Sequence, residues 1–188
     1  MDSPVETLEV ENVVASTDIE QELDLEVLAE DLPSTDYTPD HFPGLVYRTQ
    51  RPKAAALLFR SGKIVCTGAG SPDDVRGSLE IVFDALRELG ISVADDPDIT
   101  IENMVTSADL DQRLNLNALA VGLGLEHIEY EPEQFPGLVY RLEAPSVVVL
   151  LFGSGKCVIT GGESMEDAHN GLETVCSRLT ELDLIDSI

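Results

Sequence analysis

Tryptophan is absent from the 188-residue chain, aromatic residues make up only 5% of it, and just three of its 11 basic residues are lysines, Lys53, Lys63 and Lys156. No apolar run is long enough to cross a bilayer. The longest, "VVVLLF" from Val147 to Phe152, falls far short of the roughly 20 residues a spanning helix needs. The acidic opening "MDSPVETLEV" lacks the basic-then-apolar layout of a signal peptide, so a cytoplasmic protein with no membrane partner is expected. Three cysteines (Cys66, Cys157, Cys176) form no CxxC pair, and three histidines (His41, His127, His169) supply no ligand spacing with them. These absences argue against a disulfide framework, a structural metal or a metal cofactor; the thiols read as small core residues.

Positive charge is scarcer still in relative terms. There are 36 acidic residues, and the net charge is −25. Such a balance ordinarily opposes a polyanionic partner, yet it also suits a protein that must stay soluble in a salt-saturated cytoplasm. With 43% hydrophobic residues in a regular pattern the chain is globular rather than disordered, and a halophilic source is expected.

The chain repeats itself. "VENVVASTDI" at Val10–Ile19 resembles "IENMVTSADL" at Ile101–Leu110, and the heptapeptide "FPGLVYR" occurs at Phe42–Arg48 and again at Phe135–Arg141. Over Phe42–Ala69 and Phe135–Gly162, 17 of 28 aligned positions are identical. The period of about 90 residues suits a duplicated small domain, with repeats at 1–94 and 95–188. Each copy predicts a strand, a helix, a meander of strands and a longer helix. The first helix carries Leu25, Leu28, Ala29 and Leu32, answered by Leu116, Leu119, Ala120 and Leu123. The second opens on a Ser-x-x-Asp pattern, Ser71 with Asp74 and Ser164 with Asp167. Its expected buried stripe is Val75, Leu79, Val82, Leu86 and Leu89, matched by Ala168, Leu172, Val175, Leu179 and Leu182.

The strands are apolar on both faces. In "KIVCTG", Lys63, Val65 and Thr67 oppose Ile64 and Cys66; Leu57 and Phe59 oppose Ala56 and Leu58, and the second copy repeats the pattern. Two helices per copy can cover only one face. The uncovered one would hold Asn12, Val14, Leu57, Phe59, Val65 and Thr67, with Asn103, Val105, Leu150, Phe152, Val158 and Thr160 in the second copy. The two 28-residue windows hold seven of the 11 bases but a single acid, Glu143. Pattern alone leaves open a dimer interface or a covering second sheet. A nucleic-acid minor groove fits the chemistry better. Its walls are apolar sugars, its A·T floor offers only acceptors, and phosphates line its rim.

At these motifs the sequence closely resembles the TATA-box-binding protein family in its archaeal form, over about Val10–Ile185. The resemblance implies an α+β, internally duplicated saddle: two five-stranded curved antiparallel half-sheets forming one ten-stranded sheet, with four helices on the convex face. It implies a general transcription initiation factor that binds the minor groove of TATA-box promoter DNA and recruits transcription factor B and, through it, RNA polymerase. Phe42, Phe59, Phe135 and Phe152 would wedge between base steps. Asn12, Asn103, Thr67 and Thr160 would donate to base acceptors, and Val14, Val105, Val65, Val158, Leu57 and Leu150 would give the apolar fit. Arg48, Arg141, Lys63 and Lys156 would contact phosphates. Glu131 and Glu133, just before the second "FPG", would bind transcription factor B; the first copy has Thr38 and Asp40 there. No cofactor is implied, a homodimer off DNA stays open, and a nucleoid-associated cytoplasmic location follows.

Enzyme readings are weak. "GSGK" at Gly153–Lys156 lacks the residues of a phosphate loop and has a hairpin-like twin in "RSGK". His41 has Gln134 as its counterpart, and no histidine has a paired nucleophile. The remaining rival is a ligand-binding or protein-interaction module using the same sheet, which would shelter the four phenylalanines rather than expose them.

Overall fold

The computed structural model describes residues 3–186. The chain divides into two compact units, one of Asn12–Glu102 and one that gathers the segment ending at Glu11 and the chain from Asn103 onward.

In the first half, β1 (Glu9–Asp18) is followed by α1 (Leu25–Asp31), β2 (Thr35–Asp36), β3 (Leu45–Gln50), β4 (Lys53–Leu58), β5 (Lys63–Ala69) and α2 (Pro72–Glu88). The strands are antiparallel in the order β2-β3-β4-β5-β1. The second half repeats the series as β6 (Thr100–Asp109), α3 (Leu116–Leu123), β7 (Ile128–Glu129), β8 (Leu138–Arg141), β9 (Val148–Leu151), β10 (Lys156–Gly162) and α4 (Met165–Glu181), with the order β6-β10-β9-β8-β7. Strand, helix, meander and helix occur twice, as the repeat predicts.

Local chemistry starts each helix. The Ser71 Oγ accepts the Asp74 N–H at 3.0 Å and Ser164 Oγ accepts the Asp167 N–H at 3.1 Å. Asp24 and Asn115 do the same for α1 and α3 through Val27 and Ala118. Each such cap contributes about 1 kcal/mol by satisfying an amide that has no partner inside the helix.

One sheet face of each half carries the core. Leu45, Ala56, Leu58, Ile64 and Cys66 meet Val75, Leu79, Val82 and Leu86 of α2, all of them buried. Leu138, Val149, Leu151, Cys157 and Ile159 meet Ala168, Leu172, Val175 and Leu179 of α4. The expected stripes are too long at one end. Leu89 is 39% exposed because α2 ends at Glu88 and Leu89 is already its cap, and Leu182 is only half-buried for the same reason beyond α4. Phe83, absent from the predicted stripe, is fully buried.

Equivalent positions are packed differently in the two halves. The Ser78 hydroxyl lies 2.8 Å from that of Thr49, which donates to the Pro52 carbonyl at 2.7 Å. In the second half Leu142 replaces Thr49 and Gly171 replaces Ser78. A Cβ on Gly171 would come within 2.7 Å of Val147 Cγ2, where the first half has only Ala54. The larger strand residue is accommodated by removing the helix side chain facing it.

Candidate nucleic-acid interface

The face of each sheet that no helix covers is built by strand alternation. Pairing aligns Ser16, Val65, Leu57 and Val46 across β1, β5, β4 and β3, and Thr67 lies opposite Ala55. The second half aligns Ser107, Val158, Leu150 and Val139, with Thr160 opposite Val148. All these aliphatic residues are half-buried, while their strand neighbours on the other face are buried, except Tyr47 and Tyr140, which are half-buried as well. Asn12, Val14, Asn103 and Val105 belong to the same open faces. Val46, Val139, Ser16 and Ser107 were missed in the sequence. Val46 and Val139 could have been found because they stand two residues before Arg48 and Arg141, and so on the same face.

A bulge orients each asparagine. Between the pairs Val13–Ala69 and Ala15–Cys66 the strand β5 gains a residue, and Gly68 takes φ +80°; β10 does the same at Gly161, φ +87°. That left-handed conformation is cheap only for glycine. The freed Gly68 N–H donates to Asn12 Oδ1 at 2.8 Å, and Gly161 N–H donates to Asn103 Oδ1 at 2.8 Å. A backbone N–H can only donate, so the amide oxygen must face it and the NH2 group turns away. Asn103 Nδ2 also lies 3.3 Å from the Thr160 hydroxyl.

The phenylalanines come in pairs. Phe42 and Phe59 pack edge to face with centroids 5.9 Å apart, and Phe135 and Phe152 with centroids 5.8 Å apart. Phe42 is 37% and Phe135 39% exposed, whereas Phe59 and Phe152 are half-buried. Of the four rings expected to be exposed, two are exposed and the other two are partly accessible. Both rings lie over the glycine of "FPG". A Cβ on Gly44 would meet Phe42 Cε1 at 2.7 Å and Phe59 Cε1 at 3.1 Å; on Gly137 it would meet Phe135 at 2.7 Å and Phe152 at 2.9 Å. Neither glycine needs a positive φ, so it is space for the aromatic pair that requires glycine there. The preceding turn is closed by Phe42 N–H donating to the Thr38 carbonyl at 3.0 Å and Phe135 N–H to the Glu131 carbonyl at 2.9 Å. Thr38, Asp40, Glu131 and Glu133 are exposed on these turns.

The basic margin is less free of acid than the sequence windows suggest. Arg141 lies 3.5 Å from Glu129, which comes from outside the window through the β7–β8 pairing. Lys63 stands opposite Asp18 and Lys156 opposite Asp109 across their strand pairs. Lys156, Phe152, Glu9, Glu11 and Asp109 line a cavity of about 580 Å³. These acids lie outside the two windows and reach the margin through strand pairing.

The thiols are quiet. Burial raises the Cys66 pKa, raises Cys157 to about 12 with the nearby Cys176 and Asp109 adding to it, and raises Cys176 to about 11. Protonated thiols of this kind are poor nucleophiles. Among the described residues no group of His, Cys, Asp and Glu could hold a metal ion, and no helix is long and apolar enough to cross a membrane.

Comparison with known proteins agrees with this geometry. Residues 7–89 and 98–182 match the family described as "Transcription factor TFIID (or TATA-binding protein, TBP)". The chain is 68% identical over 185 residues to TATA-box-binding protein 1 of Haloferax volcanii, covering 98% of each chain. It is 67% identical to TATA-box-binding protein E of Halobacterium salinarum, covering 99% of this chain and all of that one. Among solved structures, Methanococcus jannaschii TBP superposes with a TM-score of 0.83 at 48% identity, over 93% of this chain and 98% of that one. The duplicated α+β fold expected from the sequence is thus shown, and with it a transcription factor rather than an enzyme, of a kind found in halophilic archaea. The chain belongs to the TATA-box-binding protein family of general transcription initiation factors.

Proposed function

We propose that the two open sheet faces bind the minor groove of an A·T-rich promoter element, and that the bound complex recruits transcription factor B and, through it, RNA polymerase at the nucleoid. The observation that carries this reading is the orientation of Asn12 and Asn103. Their oxygens are held by Gly68 and Gly161, which leaves the NH2 groups as the donating ends, Asn103 giving one of its two N–H bonds to the Thr160 hydroxyl and keeping the other. An A·T minor groove presents only acceptors, and a G·C pair inserts a donor that would confront these donors. Val14, Val65, Leu57, Val105, Val158 and Leu150 would pack on the sugars, while Arg48, Arg141, Lys63 and Lys156 would face phosphates.

The aromatic pairs supply the deformation. Phe42 and Phe135 stand out to enter a base step, with Phe59 and Phe152 behind them resisting displacement. Minor-groove kinking by wedged side chains is the known habit of TATA-box-binding proteins, and it is transferred here from the family. Glu131 and Glu133 would offer a paired negative patch to transcription factor B beside the second wedge.

A gel-shift series with TATA-like and G·C-rich duplexes, with and without transcription factor B, tests this from low to molar potassium chloride. The expected result is selective binding of the TATA-like duplex that persists in molar salt. With a net charge of −25 and few phosphate contacts, counterion release contributes little, and apolar burial carries the affinity. Equal retention of both duplexes would overturn the reading, and a steep monotonic loss with salt would overturn its energetic basis.

A further inference from the structure

The short helices α1 and α3 present opposite surfaces. Residues 23–32 include Asp24, Glu26, Glu30 and Asp31, whereas the corresponding residues 114–123 have Asn115, Asn117, Val121 and Gly122 in their places. Residues 114–125 thus form a run without any charge in a chain of net charge −25. Gly122 has its reason inside the chain, since a Cβ there would meet Leu184 Cδ1 at 3.0 Å. Val121 and Leu125 have none. They are 86% and 84% exposed, against 50% for Val27, the next large hydrophobic side chain among the described residues. Between these helices and the following strands the second half is longer, with residues 124–127 against 33–34, and Leu125 stands in that longer segment. An uncharged helix side that ends in two bare aliphatic residues is a surface for another molecule to cover.

We infer that Val121 and Leu125, at the end of α3, form an apolar docking surface for transcription factor B, separate from the acidic turn and continuous with it. The inference rests on the partner reading above and adds a second kind of contact to it. Leu125 stands six residues before Glu131, so even an extended chain keeps the two within about 22 Å. That span fits inside one interface of standard size, about 800 Å² per partner. Glu126, Glu131 and Glu133 are exposed around it. The partner that fits therefore presents an apolar side chain bordered by lysines or arginines. A second copy of this chain does not fit, because a two-fold contact would set Glu126 against the same carboxylates and join two chains of net charge −25. Nor does DNA, whose phosphates the carboxylates would repel. The two kinds of contact respond differently to salt. Charge pairs are screened, with a Debye length of about 3 Å at 1 M, while burial of aliphatic surface is not. Val121 and Leu125 supply the part of recruitment that concentrated salt leaves intact.

The test is a supershift titration of transcription factor B on a TATA-like duplex, comparing the full chain with Val121→Ser plus Leu125→Ser, an exchange that adds no charge. It is run in molar potassium chloride and at the lowest concentration that preserves the far-UV circular dichroism. The serine pair is expected to weaken recruitment about tenfold at both concentrations, with the binary DNA complex and the thermal midpoint unchanged. Val121→Ile with Leu125→Met, which keeps the surface apolar, is expected to recruit normally. Should the serine pair lower the thermal midpoint, the isosteric Val121→Thr carries the same test with about threefold weakening expected. Equal recruitment by the serine pair, or an effect that vanishes in molar salt, overturns the inference. So does unchanged recruitment with loss of self-association in light scattering, which would assign the surface to a second copy. If the unsubstituted chain binds the duplex and recruits no transcription factor B, the partner reading fails and the inference with it.

Discussion

The carboxamide oxygen of Asn103 accepts the Gly161 N–H at 2.8 Å, and Asn12 is held in the same way by Gly68. This one bond converts a side chain with two faces into a fixed donor. Asn103→Asp separates holding from donating, since a carboxylate still accepts from Gly161 but offers no proton and places negative charge against the base acceptors. Affinity for a TATA-like duplex should fall at least tenfold, equivalent to about 1.4 kcal/mol and within the usual worth of a specific base contact. The thermal midpoint should barely move. Unchanged affinity in a gel-shift titration would show that the amide donates nothing to DNA.

The glycine of "FPG" makes a second claim. Gly137→Ala puts a methyl group where two rings already lie within 3 Å of it, so Phe135 or Phe152 must shift. Leu138 and the strand after it stay packed, and the cost to stability should remain near 1 kcal/mol. DNA bending should suffer far more than stability. A circular-permutation or energy-transfer assay of bend angle checks this, with Phe152→Ala as the benchmark for losing the supporting ring.

These two cases show where the sequence was legible. Duplication, strand alternation and helix caps are local signals, and they placed Val65, Leu57, Thr67 and their counterparts on the right face. The open face was readable because apolar residues occupied both parities of each strand. What escaped was set by contacts between distant segments. Glu129 reaches Arg141 only because β7 pairs with β8, and Phe59 is half-sheltered only because the Phe42 turn folds back on it. Leu89 kept the helical spacing after the helix had ended, since periodicity does not report where hydrogen bonding stops.

The buried thiols predict a pH dependence with a definite sign. The Cys157 pKa is raised from 9.0 to about 12, chiefly by burial, so the fold favours the protonated thiol. Below pH 9 both folded and unfolded chains carry it protonated, and no free energy is at stake. From pH 9 toward 12 the unfolded chain ionises first, and stability is lost as pH rises. Cys157→Ala should flatten the fall of the thermal midpoint across this range. A thiol reagent at pH 8 should modify Cys176, which is half-buried, before Cys66 or Cys157. Rapid labelling of all three in the native state would contradict the burial argument.

The turn before the second heptapeptide carries the last prediction. Glu131 and Glu133 are exposed, and their counterparts Thr38 and Asp40 carry a single charge between them, with Thr38 held to Asp36. A partner with a basic contact surface can therefore distinguish two turns whose backbones are closed by the same hydrogen bond. Glu131→Lys with Glu133→Lys should leave the binary complex with DNA intact, because both residues belong to the turn between β7 and β8 and not to a strand of the sheet. Recruitment of transcription factor B should drop by tenfold or more, in line with reversing two charges at a contact. The same changes at Thr38 and Asp40 should have little effect. A supershift titration on one TATA-like duplex compares all three proteins, and equal recruitment by the doubly substituted variant would remove these glutamates from the partner surface.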